Sequence, residues 1–219
     1  MCKTRCSLSI AMVFMSMTTI NGWSHPHMTF DASVEFEMKD RTCSALHVEL
    51  LFDPMFSASI IMEFDKNRDG EFSAAEATKL RVGAFDNLKN YGYFVYLRKG
   101  ERRFQPGSIA GFSPYIKKGL LVYRFKISLE GKNLSDDFSV AIFDSTYYCQ
   151  VCYPESPAKA YATAGSTLDP SFRIELVENK KYPVYYNPYG DPTDHTVYTS
   201  WASGLDTAFP QEIRLSYRY

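Results

Sequence analysis

Met28, Phe30, Ala32, Val34, Phe36 and Met38 alternate with Thr29, Asp31, Ser33, Glu35 and Glu37. Period two over this stretch predicts a half-buried strand. Lys39-Asp40-Arg41-Thr42 reads as a turn. A second strand follows from Cys43 to Phe52, with Leu46, Val48, Leu50 and Phe52 on one face. His47, Glu49 and Asp53 fall on the other. Paired as a hairpin, the two strands bring Asp53 near Thr29 and His47 near Glu35; a one-residue slip would reverse both faces. Pro54 ends the alternation, and Met55 to Phe64 carries apolar residues at helical spacing. A second helix is expected to run to about Tyr91, where Gly92 ends it. Beyond it, Tyr93–Leu97 and Arg103-Phe104 form a hairpin around Lys99-Gly100. Strands are expected at 121–129, 138–143, 172–176 and 213–217. Residues 182–194 read as a loop, and 201–209 as a short helix or turn. About seven to nine strands with one helical insertion, at about 55–91, predict a mainly β protein. The expected architecture is an Ig-like β-sandwich in one domain over residues 25–219.

The segment between the two helices is Asp65-Lys66-Asn67-Arg68-Asp69-Gly70-Glu71-Phe72-Ser73-Ala74-Ala75-Glu76. It matches an EF-hand calcium loop at each diagnostic position. Asp65, Asn67 and Asp69 supply side-chain oxygens, and Gly70 allows the sharp turn. Glu71 offers its carbonyl, Ser73 helps directly or through water, and Glu76 closes the site as a bidentate carboxylate. Ser73 and Glu76 also make a capping box for the outgoing helix. No second loop of this kind occurs, so the hand is unpaired and its expected role is structural: Ca²⁺ holds the insertion onto the sheet.

Lys3 and Arg5 precede an uncharged, mostly apolar run from Leu8 to Ile20, followed by Gly22-Trp23-Ser24. This is the pattern of a secretory signal peptide over residues 1–24. The run is shorter than the ~20 residues that cross a bilayer, and no later segment is long and apolar enough to span one. Cleavage after Ser24 makes His25 the new terminus of His25-Pro26-His27. A terminal amine, its imidazole and a second imidazole two residues on suit Cu(II), Zn(II) or Ni(II). Pro26 has no N–H to lose, which excludes the copper site built from deprotonated backbone amides. A brace from His25 remains, with His27 as partner. Asp31, Asp53 and Asp144 lie at or near strand ends, where each serves equally as an oxygen ligand or a turn cap. His47 reads as a surface strand residue, and His195 sits in a polar loop.

Composition narrows the function classes. The 219 residues carry 24 basic and 25 acidic side chains, a formal charge of −1. That excludes a basic nucleic-acid binder. Removing the leader leaves 195 residues, and loss of Lys3 and Arg5 takes the charge to −3. Sixteen Tyr and sixteen Phe favour strands. Cys43, Cys149 and Cys152 remain after cleavage. Cys149-Gln150-Val151-Cys152 reads first as a local disulfide, then as soft-metal ligands, then as a redox pair. Strand-like neighbours argue against the redox pair, which needs a helix start to lower a thiol pKa. No nucleophile elbow, P-loop or dinucleotide turn is present.

These motifs resemble a bacterial family described as the periplasmic component of an uncharacterised ABC-type transport system, a family of unknown function. The matching stretches are His25-Pro26-His27-Met28-Thr29-Phe30-Asp31, Phe52-Asp53-Pro54-Met55-Phe56-Ser57, the Asp65–Glu76 loop, Tyr91-Gly92-Tyr93-Phe94, and Phe143-Asp144-Ser145-Thr146-Tyr147-Tyr148. Their order and spacing hold from residue 25 to about 150; beyond about 155 the likeness is faint. Members often carry cysteines late in the chain, whereas this chain has none after Cys152. The resemblance implies a periplasmic location and metal traffic, with an inner-membrane metal transporter as partner. The leading expectation is a non-enzymatic periplasmic protein that binds nickel, cobalt, zinc or copper for a transport system. The alternatives are a copper histidine-brace redox enzyme and a Ca²⁺-stabilised adaptor for a protein partner.

Overall fold

The structure, a computed structural model, describes residues 28–132, 134, 137–190 and 196–218. The first two alternating segments form β1 (Met28–Lys39) and β2 (Thr42–Phe52). They pair antiparallel in the expected register, Phe30 opposite Phe52 and Glu35 opposite His47. Phe30, Ala32, Val34, Phe36 and Met38 are all buried. Pro54 then opens α1 (Pro54–Phe64), followed by α2 (Ala74–Gly83) and a 3-10 segment, Phe85–Phe94.

The remaining strands are β3 (Val95–Lys99), β4 (Arg102–Phe104), β5 (Ile109–Lys117), β6 (Leu120–Ser128), β7 (Phe138–Ile142), β8 (Cys149–Cys152), β9 (Ala158–Ala162), β10 (Phe172–Glu178), β11 (Val184–Tyr186), β12 (Asp206–Ala208) and β13 (Gln211–Tyr217). One sheet has the order β5-β6-β2-β1-β8, with β9 also on β1; the second has the order β10-β13-β7-β3-β4. The chain is mainly β with no closed barrel. The two sheets face each other as a sandwich. Phe36 of β1 meets Phe138 of β7 edge-on at 5.9 Å between ring centroids. β8 and β9 themselves run parallel to β1, whereas the other strand pairs are antiparallel.

Five strands were not legible as strands, and their composition explains why. β5 contains Gly111 and Pro114. It lies at the sheet edge, where a residue lacking an N–H costs no ladder bond. β9 reads Ala-Lys-Ala-Tyr-Ala, weak in β propensity, and is held by pairing with Val34–Met38. β8 is the C-x-x-C segment itself. β11 and β12 are three-residue strands that pair with each other inside the regions expected to be loop and short helix or turn. The second helix is also shorter than expected. α2 stops at Gly83, where a Cβ would meet the Phe64 ring at 3.0 Å. That close approach lets the end of α2 pack on the end of α1.

The outer face of the second sheet carries Glu212, which is 0% exposed. Arg98 and Arg103 bind it at 2.6 and 3.1 Å. Tyr182 lies against the Arg98 guanidinium, 4.3 Å from its ring centroid. The outer face of the first sheet is a charge ladder. Glu37 accepts from Lys126 Nζ at 2.8 Å, sits 2.9 Å from His47 Nε2 and accepts from Tyr161 of β9 at 3.1 Å. Burial raises the Glu37 pKa, but these donors outweigh it and bring the group down to about 2. A depressed carboxylate stabilises the fold above its unfolded pKa and loses that contribution as pH falls through the folded one. Urea stability should therefore decline as pH falls from about 4.5 toward 2. Glu37→Gln should flatten that part of the profile; an unchanged slope in the variant contradicts the assignment.

Candidate functional site

The start of β1 is a junction. The Asp53 carboxylate accepts from Thr29 N through Oδ2 at 3.0 Å and from Met55 N and Phe56 N through Oδ1 at 2.8 and 3.0 Å. It is thus the N-cap of α1 and a clamp on the second described residue of β1. Asp53 N donates back to Thr29 O at 2.9 Å. Burial raises the Asp53 pKa, and the N–H groups of Phe56, Thr29 and Met55 more than reverse that, leaving it below its ordinary value. On the other side of β1, Met28 pairs in parallel with Cys149. Asp144, 2% exposed, accepts from Cys149 N at 3.0 Å and from both N and Oγ1 of Thr146 at 2.8 Å.

Tyr91 completes this group. Burial raises its pKa, and the negative charge of nearby Asp144 adds to that. The turn that delivers Tyr91 is strained. Gly92, Tyr93 and Phe94 have φ of 60, 56 and 62°. For Tyr93 and Phe94 the left-handed region costs roughly 1–2 kcal/mol per residue. Packing holds the turn in place. Phe94 stacks on Phe30 at 5.3 Å, and Phe94 O accepts from Phe143 N at 2.9 Å. Gly92 takes its left-handed φ without a Cβ penalty; a Cβ would lie 2.4 Å from the end of the exposed Gln105 side chain, which would have to swing away. Four of the five stretches that carry the family resemblance thus meet at one place: the start of β1, the start of α1, the Tyr91–Phe94 turn and the Phe143–Tyr148 turn.

Sequence spacing placed Asp53 correctly beside Thr29. It did not bring Asp144, Cys149, Tyr91 and Tyr148 to the same end, because their positions depend on strand pairing across large sequence separations. Both carboxylates act as caps here, each oxygen accepting from backbone N–H or hydroxyl groups. Asp31 is exposed on β1, opposite Cys152. His25, His27 and His195 lie outside the described residues. His47 is committed to Glu37 and Tyr161 on the outer sheet face. Cys43, Cys149 and Cys152 are free thiols, so the expected local disulfide is not formed. Strand geometry explains it: residues three apart in β8 point to opposite faces, and Cys149 is buried while Cys152 is half-buried. Burial pushes the Cys149 thiol pKa well up, and Asp144 adds to that.

The Asp65–Glu76 loop joins α1 to α2. Asp65, the C-cap of α1, is 5% exposed. Its Oδ2 accepts from Gly70 N at 3.1 Å, while its Oδ1 is buried without a partner. Gly70 turns the chain at φ 82°. Asn67 Nδ2 donates to Asp69 Oδ2 at 2.7 Å, and Asp69 Oδ1 accepts from Glu71 N at 2.9 Å. Glu76 accepts from Lys66 N at 2.8 Å, and from Ser73 N and Ser73 Oγ at 3.0 and 2.7 Å. The Ser73 hydroxyl, the Ser73 N–H and the Lys66 N–H lower the Glu76 pKa. The capping box is complete, as the Ser-x-x-Glu spacing predicted. Among the described residues no three His, Cys, Asp or Glu side chains are grouped as a metal site. Apart from Asp65 Oδ1, the carboxylate oxygens of Asp65, Asp69 and Glu76 accept from the loop's own backbone and from its Asn67 and Ser73 side chains. The donor set is all oxygen, which fits a hard cation such as Ca²⁺, and the orphaned Asp65 Oδ1 is the atom such a cation would satisfy.

Fold and junction together define a class: a two-sheet sandwich whose helical insertion both begins and ends at the start of one central strand. The chain belongs to the family described as Protein of unknown function (DUF1007), which it matches over residues 10–217. It is also similar to the "Uncharacterized 15.5 kDa protein in trpE 3'region" of Spirochaeta aurantia, 32% identical over 98 residues. That match covers 44% of this chain and 70% of the relative.

The Asp53 clamp makes a direct prediction. Asp53→Ala removes a helix cap, worth about 0.5–2 kcal/mol, and orphans the Thr29 N–H, at about 1–3 kcal/mol. Urea unfolding should show a loss of about 2–3 kcal/mol, with Asp53→Asn recovering most of it. A loss below about 0.5 kcal/mol for the alanine variant contradicts the clamp.

Proposed function

We propose that this is a secreted, periplasmic metal-binding protein that serves an inner-membrane metal transport system and is not an enzyme. His25 and His27 hold a nickel, cobalt, zinc or copper ion at the start of β1, and Ca²⁺ occupies the Asp65–Glu76 loop. The observation that supports this most is the convergence on Met28 and Thr29, the two residues that follow His27 in the chain. Asp53 clamps Thr29, Cys149 pairs with Met28, and Asp144 and Tyr91 stand behind Cys149. A rigid, polar surround is what an ion-binding terminus needs, because ligands are held by their supporting shell. Asp31, exposed on β1 two residues beyond Thr29, offers a further oxygen donor at this end of the strand. Calcium in the loop is supported by the buried, unpartnered Asp65 Oδ1. The transport link rests on the family resemblance.

A second reading, a Ca²⁺-stabilised adaptor, is favoured by Met55 and Met62, which are 71% and 77% exposed one heptad apart on α1.

Intact mass should place the processed terminus at His25. Titration of that protein with Zn²⁺, Ni²⁺ and Cu²⁺ should then show one site whose affinity falls at least tenfold in the His25→Ala/His27→Ala double variant. Equal binding by wild type and double variant contradicts the metal reading. A large Ca²⁺-dependent rise in melting temperature, lost in Asp65→Ala, with no effect of Zn²⁺, Ni²⁺ or Cu²⁺, selects the adaptor.

A further inference from the structure

The second sheet ends at β10, which is paired on one side only, with β13. A strand with an open side presents N–H and C=O groups to any further strand, and proteins blunt such edges. Among the described residues, the other open edges of the two large sheets are blunted. β4 has three residues. β5 carries Pro114 and a register shift between Ile109 and Gly111. β8 and β9 are pieces of four and five residues that share β1. β10 has seven residues in unbroken register with β13, and contains neither Pro nor Gly.

Strand parity sorts the backbone groups of β10. Arg218 N donates to Ser171 O at 3.0 Å, which continues the β10–β13 register. Ser171, Arg173, Glu175 and Val177 therefore turn their N–H and C=O groups to β13, and Ile174 and Leu176 turn theirs to the open side. Phe172 also faces that side; its N–H donates to Asp169 O at 3.0 Å. The side chains divide in the same way. Phe172, Ile174 and Leu176 stand opposite Tyr217, Leu215 and Ile213, on the core face. Ile213 and Leu215 are 0% exposed, yet Leu176 is 37% exposed, so the core is uncovered along this edge. Arg173 and Glu175 lie on the outer face. Arg214, opposite Glu175, goes instead to Asp137 at 3.0 Å. Arg173 reaches over the edge to the carbonyls of Pro170 and Phe172 at 3.0 and 2.6 Å.

We infer that a second copy of this chain docks on this edge, β10 against β10, antiparallel about a two-fold axis at Ile174. The occupant follows from the strand's self-complementarity, which an isologous interface requires. With Ile174 opposite its counterpart, Phe172 stands opposite Leu176 and Arg173 opposite Glu175, on both sides of the axis. The Ile174 residues exchange N–H···O=C bonds, since both face the open side. Each Leu176 N–H donates to the other copy's Phe172 carbonyl, which has a second lone pair beside Arg173. The Arg173–Glu175 pairs fall at non-hydrogen-bonded positions, where side chains approach most closely. On the core face, Phe172 of each copy covers the exposed Leu176 of the other. Sliding the strands to an axis at Glu175 sets Glu175 against Glu175, a like-charge contact that destabilises pairing. Charge thus selects the register, and the two five-stranded sheets become one continuous sheet.

The test is sedimentation velocity of the purified full chain over a concentration series, with charge reversals at the pair. Wild type should pass from monomer to dimer as concentration rises, and amide exchange at Ile174 and Leu176 should slow with it. Arg173→Glu sets acid against acid on both sides of the axis, and Glu175→Arg sets base against base. Each variant alone should weaken the dimer by about tenfold or more. An equimolar mixture of the two variants should recover it, because every reversed charge then meets an opposite one. That recovery also shows that both variants are folded. A wild-type chain that stays monomeric throughout the series overturns the inference. A dimer that neither reversal weakens overturns it as well, since the contact then lies elsewhere. So does a loss that mixing fails to recover, because the Arg173–Glu175 register then plays no part.

Discussion

The Asp53 carboxylate accepts three backbone N–H groups from two different elements. One is the start of β1 and the other is the start of α1. A strand end and a helix start each present N–H groups with no partner within their own element, and a single side chain satisfies both. Without it, the helical insertion would leave the sheet at no defined angle. With it, the direction of α1 is set from the central strand. β1 itself is shared by β2, β8 and β9, so what is clamped at its start is coupled to most of the first sheet.

The chemistry of the insertion divides along its length. At the apex every donor is an oxygen from a carboxylate, an amide, a hydroxyl or a carbonyl, the set that suits a hard divalent cation. At the base the groups are a buried thiol, two capped carboxylates and a phenol, beside the strand that His25-Pro26-His27 precede in the sequence. Nitrogen and sulfur donors suit softer transition ions, with geometry rather than raw affinity deciding among them. The proposed function assigns a different kind of ion to each end, so the two would not compete for the same ligands. The cost is strain, concentrated at Tyr93 and Phe94, where the returning leg must turn tightly to reach Phe30.

Much of this was legible in the residues. The β1–β2 hairpin and its register followed from strict alternation, and the Ser73–Glu76 capping box that starts α2 from its Ser-x-x-Glu spacing. The contact of Asp53 with Thr29 followed from that register. What was not legible depended on distant pairing. Cys149 lies beside Met28 only because β8 runs parallel to β1, and nothing local in Cys-Gln-Val-Cys announces that. β5 was hidden by Pro114 and Gly111, and β9 by its alanines, since edge and covering strands are chosen by their neighbours rather than by propensity. The break at Gly83 was also invisible, because it answers to the Phe64 ring and not to helix periodicity.

Crystals of the processed protein grown with Zn²⁺ and Ca²⁺, measured at the zinc absorption edge, address the central claim most directly. The account predicts one strong anomalous peak at the start of β1, within bonding distance of the His25 and His27 imidazoles, beside the Asp53–Thr29 clamp. It predicts a separate Ca²⁺ position against Asp65 Oδ1. Zinc found elsewhere on the chain, or at no ordered position, would contradict it.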